Sequence, residues 1–468
     1  MTNMRPSVLC IFFITTLSAC AIFKPEGPAP PIPSNLPAQF SMYSEKTDHP
    51  VRWWQDFNSD ELNGLIKEAI TKNFSIKEAW ARLEQASYTA MKTGAALYPK
   101  VSYEASRTYF ERNNNSQAQV NSRDWSLGLS ASYEVDLWGR VRAEKKSSYL
   151  LAQASEEDLK TAVMTVTGQI AELWIRLISN KKQQELFNRQ LELQKQLLYL
   201  IKSRFPLAKS TALDIYQQQQ SIEVIEASLI PLASDEGLIK RQLAFLLGKA
   251  SMDDKKLIRD FPDIPRIPAL GLPADLLAAR PDIRSAGLRL KSAEWEIAAA
   301  RADRLPSLQL TAAHTYSSNE ISSIFDNWLR NLAVNLAGPV FDGRQRRMEV
   351  ERIRALADER LASYAKTVFA AIKEVEDSLA DEQQYSRTMD SLKRQLLLSE
   401  RTMREAKRRY LNGSSDFLNV LREQLNILMV RQNIITAEER MLIARINLYR
   451  ALGGSWVNEY VNNRQSSE

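Results

Sequence analysis

The chain has 468 residues, 44% of them hydrophobic and 25% charged, with 62 Lys and Arg against 56 Asp and Glu for a net charge of +6. That small imbalance lacks the clustered basic excess of a nucleic-acid binder, and two histidines and two cysteines cannot furnish the usual zinc, haem, iron–sulfur or disulfide frameworks, so neither cofactor nor nucleic acid is expected. Beyond the N-terminus no run approaches the roughly 18 to 20 apolar residues of a membrane-spanning helix, so any bilayer crossing must use strands.

Residues 1–19 read as a secretory signal: Arg5, an apolar stretch from Val8 to Ile14, then Leu17-Ser18-Ala19 before Cys20. Leu-Ser-Ala-Cys looks like a bacterial lipobox, which makes Cys20 the expected lipid anchor and new N-terminus. Ala21 stands where an Asp would resemble an inner-membrane retention signal, so the outer membrane is favoured, with the chain projecting into the periplasm. Residues 20–60 form a tether, proline-dense between Pro25 and Pro37 and suited to extended polyproline II.

The body repeats itself. Arg204-Phe205, Leu213-Asp214-Ile215 and Leu247-Gly248 recur as Arg409-Tyr410, Leu418-Asn419-Val420 and Leu452-Gly453 at an offset of 205. Upstream, Ile76, Ala79, Ala86 and Pro99 recur as Ile283, Ala286, Ala293 and Pro306 at 207, and Gly139-Arg140 as Gly343-Arg344 at 204. Residues 61–256 and 275–456 are therefore read as two repeats, joined by a proline-bearing linker at 257–274 and followed by a tail at 457–468.

Each repeat opens with a shorter helix, near 61–97 and 275–304. Two alternating stretches follow, about 101–111 and 123–137 in the first copy and 307–317 and 328–338 in the second. From Trp125 to Leu137 the odd positions are all apolar and the even ones small or polar, the pattern of a strand with one greasy face. Roughly nine to eleven residues suffice for a tilted transmembrane strand, and Trp125, Trp138 and Trp328 stand near strand ends. Four strands cannot close a barrel, so several chains must contribute to one.

A long hairpin closes each repeat, at about 140–248 and 343–452. Between 159 and 205, positions spaced alternately by four and three are apolar in eleven cases of fourteen, and the positions 205 further on score the same. A 3.5-residue period held this long is a coiled-coil seam. The runs Arg140–Phe205 and Gly343–Leu411 contain no proline, and at 1.5 Å per residue each could reach about 100 Å. At the strand–helix junctions, Asp136, Gly139 and Arg140 and their counterparts Asp342, Gly343 and Arg344 could form an anion site, but are read as a bend with a helix-starting acid. No G-x-S-x-G, P-loop, H-E-x-x-H or G-x-G-x-x-G occurs, and acidic pairs such as Glu438-Glu439 are read as solvated helix faces, so an enzyme is not expected.

Together, Trp53-Trp54-Gln55-Asp56-Phe57, Tyr133–Arg142, Leu272–Leu277 with Arg280-Pro281-Asp282-Ile283, Leu305-Pro306-Ser307, Gly338–Arg344 and Leu448–Trp456 resemble the TolC-like outer-membrane efflux channel family, in its lipoprotein branch. The resemblance implies a mainly α chain whose homotrimer forms a 12-stranded membrane β-barrel and a 12-helix periplasmic α-barrel. It also implies a passive exit duct for small toxic compounds, served by a periplasmic adaptor and an inner-membrane pump. A lipid-anchored coiled-coil adaptor or adhesin without a pore is the alternative; it explains the heptads but not the strands.

By the same resemblance the hairpin tips form a periplasmic aperture. Leu418 takes an apolar constriction position, Asn419 stands where some members have Asp, and Arg422 where Asp is usual; Leu213, Asp214 and Gln217 are the repeat partners. The tip segments 202–214 and 404–423 together carry a net +4 per chain. Arg422 either faces the lumen, favouring anions, or turns aside to pair with a neighbouring acid.

Overall fold

A computed structural model describes residues 52–114, 117–252, 260–268, 270 and 273–453, with the short stretches 23–24, 36–37 and 39–40. The signal segment, Cys20, most of the tether and the tail lie outside the described residues. The elements are α1 (Asp60–Lys72), α2 (Phe74–Gly94), β1 (Lys100–Asn114), β2 (Gln117–Val135), α3 (Arg140–Arg204), α4 (Ala212–Leu246), α5 (Pro281–Ala302), β3 (Ser307–Ser318), β4 (Trp328–Ala337), α6 (Gln345–Leu411) and α7 (Phe417–Leu452). The chain is thus mainly helical, with four antiparallel strands. Among the described residues no helix is long and apolar enough to cross a membrane.

Contacts divide the chain into two compact units, each drawing on both repeats: Met1–Ser34, Ala81–Glu156 and Arg284–Lys366 in one, and Asn35–Trp80, Glu157–Ile283 and Thr367–Glu468 in the other. In the first, the strands form one sheet in the order β1-β2-β3-β4, with every neighbouring pair antiparallel. The β2–β3 pairing, from Trp125↔Ser318 to Val135↔Leu308, joins the two repeats. β1 and β2 run well past the alternating stretch, because backbone pairing continues through the polar residues beyond it up to Asn114↔Gln117.

The second unit is built on the hairpins. Of the fourteen seam positions from Leu159 to Phe205, ten are buried and only Phe205 is exposed; of the fourteen from Tyr364 to Tyr410, none is exposed. The polar seam positions are each matched. Asn180 Nδ2 donates to the Leu232 carbonyl at 3.0 Å, and Gln184 reaches Asn180 and Glu236 at 2.7 and 3.0 Å. Gln194 donates to Gln424 at 3.1 Å, and Ser378 donates to the Glu374 carbonyl at 2.7 Å. Glu382 accepts from Arg445, while Ser399 accepts from Asn426 at 3.0 Å. Polar seam groups satisfied by a specific partner fix the register in which helices pack.

The helix that opens each repeat is broken rather than continuous, after Lys72 in the first copy and after a short helical turn, Leu276–Ala279, in the second, and both breaks use one device. Asn73 ends α1, caps α2 by accepting from Ile76 N at 3.1 Å, and donates Nδ2 to the Leu246 carbonyl at the end of α4, 2.8 Å away. At the equivalent place Arg280 donates to the Ala451 carbonyl at 3.0 Å, while Asp282 Oδ1 accepts from Ile283 N at 2.9 Å. Arg280 is buried and held by Asp282 and Glu374 at 2.6 and 2.8 Å; burial opposes its charge, but the two carboxylates outweigh it and raise its pKa. The N-terminal aromatic motif closes onto the last helix: Trp53 stacks on Tyr449 at 5.6 Å, and the Tyr449 hydroxyl donates to Asp56 at 2.8 Å. Burial, then that bond, push the Tyr449 pKa up.

Candidate functional site

Directly opposed residues of an antiparallel sheet share a face, so the register sorts every strand residue onto one side or the other. One face carries Val101, Tyr103 and Ala105 of β1, and Leu127, Leu129, Ala131, Tyr133 and Val135 of β2. It continues through Leu308, Leu310 and Ala312 of β3 to Leu332, Val334 and Leu336 of β4. In the single chain this apolar face is bare, with Tyr103 83% and Leu332 82% exposed. The other face presents Ser102, Ser126, Ser130, Ser132, Thr311, Thr315, Asn331 and Asn335, together with glycine, alanine and a few acids. A sheet with one mainly apolar face, broken by His314 and a few charged residues toward the hairpin ends, and one mostly small or polar face is suited to separating lipid from water.

The strand-to-helix junctions are bends capped by acids. Gly139 lies at φ +80° and Gly343 at φ +60°. Asp136 accepts from the backbone N–H groups of Val141 and Arg142 at 3.1 and 3.0 Å, and Asp342 from those of Arg344 and Arg346 at 3.0 and 3.3 Å. The acids therefore occupy the free amides that an anion would need. Trp138 belongs to the junction rather than to a strand end: its indole N–H donates to the Pro306 carbonyl at 2.6 Å.

At the far end of the hairpins the two tips share one apolar cluster. Ile201, Phe417, Val420 and Leu421 are buried, with Ile215, Met403 and Tyr410 packed against them. This brings the starts of α4 and α7 together, and with them the six aperture candidates. Leu213 and Leu418 are exposed. Asp214 turns back into its own helix, accepting from Thr211 N at 2.8 Å in a capping box. Gln217 is half-buried, Asn419 donates to Ser415 Oγ at 2.9 Å, and Arg422 is exposed and makes no salt bridge among the described residues.

Sequence reading missed Gln218, which is fully buried and donates to Gln194 Oε1 at 2.5 Å one turn behind the tip. Its place in a run of four glutamines hid it. The pair Glu438-Glu439 is not solvated: both are half-buried, Glu439 accepts from Ser179 Oγ at 2.6 Å, and burial raises the Glu438 pKa. Here α7 is enclosed on several sides, so few of its positions reach water.

Bent junctions lead the chain from a two-faced sheet into long helical hairpins, an arrangement that suits a membrane channel built from several chains. The model of the outer membrane efflux protein family matches residues 65–249 and 272–454, one segment in each repeat. The pyoverdine export outer membrane protein OpmQ of Pseudomonas aeruginosa is 30% identical over 474 residues, spanning 95% of this chain and 97% of its own. The probable outer membrane lipoprotein SilC of Salmonella typhimurium is 25% identical, spanning 96% and 99%. Among solved structures, the outer-membrane channel OprN superposes with a TM-score of 0.85 at 26% identity, over 92% of this chain and 99% of its own. The chain belongs to the outer membrane efflux protein family, and it is an efflux channel of the outer membrane.

Proposed function

We propose that three copies of the chain close one twelve-stranded barrel and continue it as a twelve-helix tunnel through the periplasm. In this reading solutes delivered by an inner-membrane pump and a periplasmic adaptor leave the cell without entering lipid. The observation that carries it is the sheet: a mainly apolar face spanning all four strands, with β1 and β4 left as unpaired edges. Each unpaired backbone group in hydrocarbon costs several kcal/mol, and pairing β4 of one copy with β1 of the next removes both edges. The hairpins of one chain also leave Tyr199, Ile230, Phe245 and Leu398 exposed, apolar surface that neighbouring copies would cover. An unheated outer-membrane extract is expected to migrate as a trimer that heat dissociates, and the purified trimer to conduct ions across a planar bilayer. Monomeric migration without conductance would overturn the barrel. A pore-less adaptor or adhesin has no use for the sheet.

Cys20 is proposed as the lipid anchor. Cys20→Ser is expected to abolish incorporation of labelled fatty acid while leaving part of the efflux function, since the barrel itself holds the protein in the bilayer; unchanged labelling would refute the anchor.

The aperture is proposed at the tips, with Leu213 and Leu418 as apolar constrictions, Asp214, Gln217 and Asn419 beside them, and Arg422 as the luminal charge. Exposure of Arg422, without an acid partner among the described residues, supports the luminal orientation. Charged rings set pore selectivity, so Arg422→Asp is expected to shift the reversal potential under a salt gradient toward cation preference. An identical potential would remove Arg422 from the pore lining. The serine- and asparagine-rich face of the sheet offers little chemistry for discriminating solutes, so in this reading the choice of cargo belongs to the pump. A deletion strain lacking redundant channels is therefore expected to become sensitive to several unrelated toxic compounds.

A further inference from the structure

The apolar face of the sheet carries charge that conduction does not use. By register, Arg107 of β1, Arg123 of β2 and Arg330 of β4 belong to that face, toward the hairpin ends of their strands. Each guanidinium lies against a ring instead of an acid: Arg107 is 4.9 Å from Trp125, Arg123 is 5.9 Å from Tyr109, and Arg330 is 4.7 Å from Trp328. None of the three makes a salt bridge among the described residues, whereas Arg140, Arg280, Arg352 and Arg445 are all paired. The acid that register places on this face is Glu111.

Next to Arg330 the face is hollow. Ala131 and Ala312 oppose each other across β2 and β3, and the taller Val101, Leu129 and Leu332 stand around them. The result is an open groove of about 430 Å³ that includes His314 and Arg330 in its wall. His314 Nδ1 accepts from Arg330 Nε at 3.4 Å, which orients the guanidinium fork. An apolar groove bounded by an unpaired cation has the chemistry of an acyl chain with an anionic head.

We propose that this groove seats an acyl chain of an outer-leaflet lipid whose phosphate is held by Arg330, with Arg107 and Arg123 binding further phosphates of the same leaflet. The site rests on the barrel reading above, in which the apolar face meets lipid and the strand hairpins lie at the outer surface. An arginine facing lipid must find an anionic partner or reach the interface, and the planar guanidinium matches two oxygens of one phosphate.

The test uses the full chain purified from outer membranes, with lipid retention measured by native mass spectrometry. The probes are diphosphorylated lipid A, phosphatidylglycerol, diacylglycerol with the same acyl chains and no phosphate, and inorganic phosphate. Wild type is expected to retain the first two over diacylglycerol by roughly tenfold, as the loss of a charged hydrogen-bond partner implies. Arg107→Gln/Arg123→Gln/Arg330→Gln is expected to abolish the preference, Arg330→Lys to keep part of it, and Ala312→Leu to lower retention of every lipid by filling the groove. Equal retention of all lipids by wild type overturns the site without any variant, as does undiminished preference in the triple variant; inorganic phosphate binding as tightly as lipid would assign the arginines to free anions instead. Planar-bilayer conductance of the same samples reports the barrel separately: conducting trimers without lipid preference refute the site and leave the channel standing, and non-conducting wild type refutes the channel.

Discussion

Glu382→Ala is expected to destabilise the helical unit by about 3–5 kcal/mol, among the largest effects of any single side chain. Arg445 is only 2% exposed, and its Nε donates to Glu382 Oε2 at 3.0 Å while Nη2 reaches the other carboxylate oxygen. Removing the carboxylate leaves a buried guanidinium with no counter-charge, and α7 must shift to admit water. Removing both charges is a different experiment. Glu382→Leu with Arg445→Met replaces the pair by apolar groups of similar volume and is expected to lie within about 1 kcal/mol of wild type or above it. The readout is the temperature at which the complex loses protease resistance, expected to fall by several degrees for Glu382→Ala. Equal losses in the single and double variants would show that the pair acts through packing alone.

Glu382 also shows where sequence reading stops. The heptad pattern put it at a seam position and counted it as one of three polar interruptions. The structure shows that all the polar seam groups have partners, which a seven-residue period cannot reveal because, Ser378 excepted, those partners include groups on other helices. The strands were legible because a sheet with one mainly apolar and one mainly polar face imposes alternation; beyond that stretch β1 and β2 continue on backbone pairing alone, with no pattern to announce it. At the junctions, Gly139 and Gly343 with their neighbouring acids were readable because a positive φ and free helix amides each demand a particular residue type. The aperture candidates came only from resemblance. Nothing in the local chemistry of Leu213 or Asn419 marks them, and what the structure adds is that the two helix starts share a cluster. The helix break at Arg280 is legible in Pro281 and Asp282, which read as a helix entry, while nothing in sequence marks the one at Asn73; the two are equivalent only through the carbonyl each reaches.

That repeated joint supports a second large prediction. Gly248 and Gly453, at φ +68° and +78°, follow the two returning helices, and a Cβ on either would sit 2.6 Å from the Lys72 carbonyl oxygen or 2.8 Å from that of Ala279. Gly413 has nearly the same φ, +71°, but nothing within 4 Å of the added carbon. Gly413→Ala therefore isolates the left-handed backbone cost, about 1–2 kcal/mol. Gly248→Ala and Gly453→Ala add collision with a helix-end carbonyl, which cannot swing aside because the next residue, Asn73 or Arg280, is tied to the end of α4 or α7. Both are expected to cost at least about 2 kcal/mol more than Gly413→Ala, an excess of the size that overpacking a well-packed site incurs. Thermal unfolding, compared across the three variants, decides it. If all three shift alike, backbone conformation alone explains these glycines and the close approach is incidental; if Gly248→Ala and Gly453→Ala fall together below Gly413→Ala, the two repeats are held by the same contact made twice.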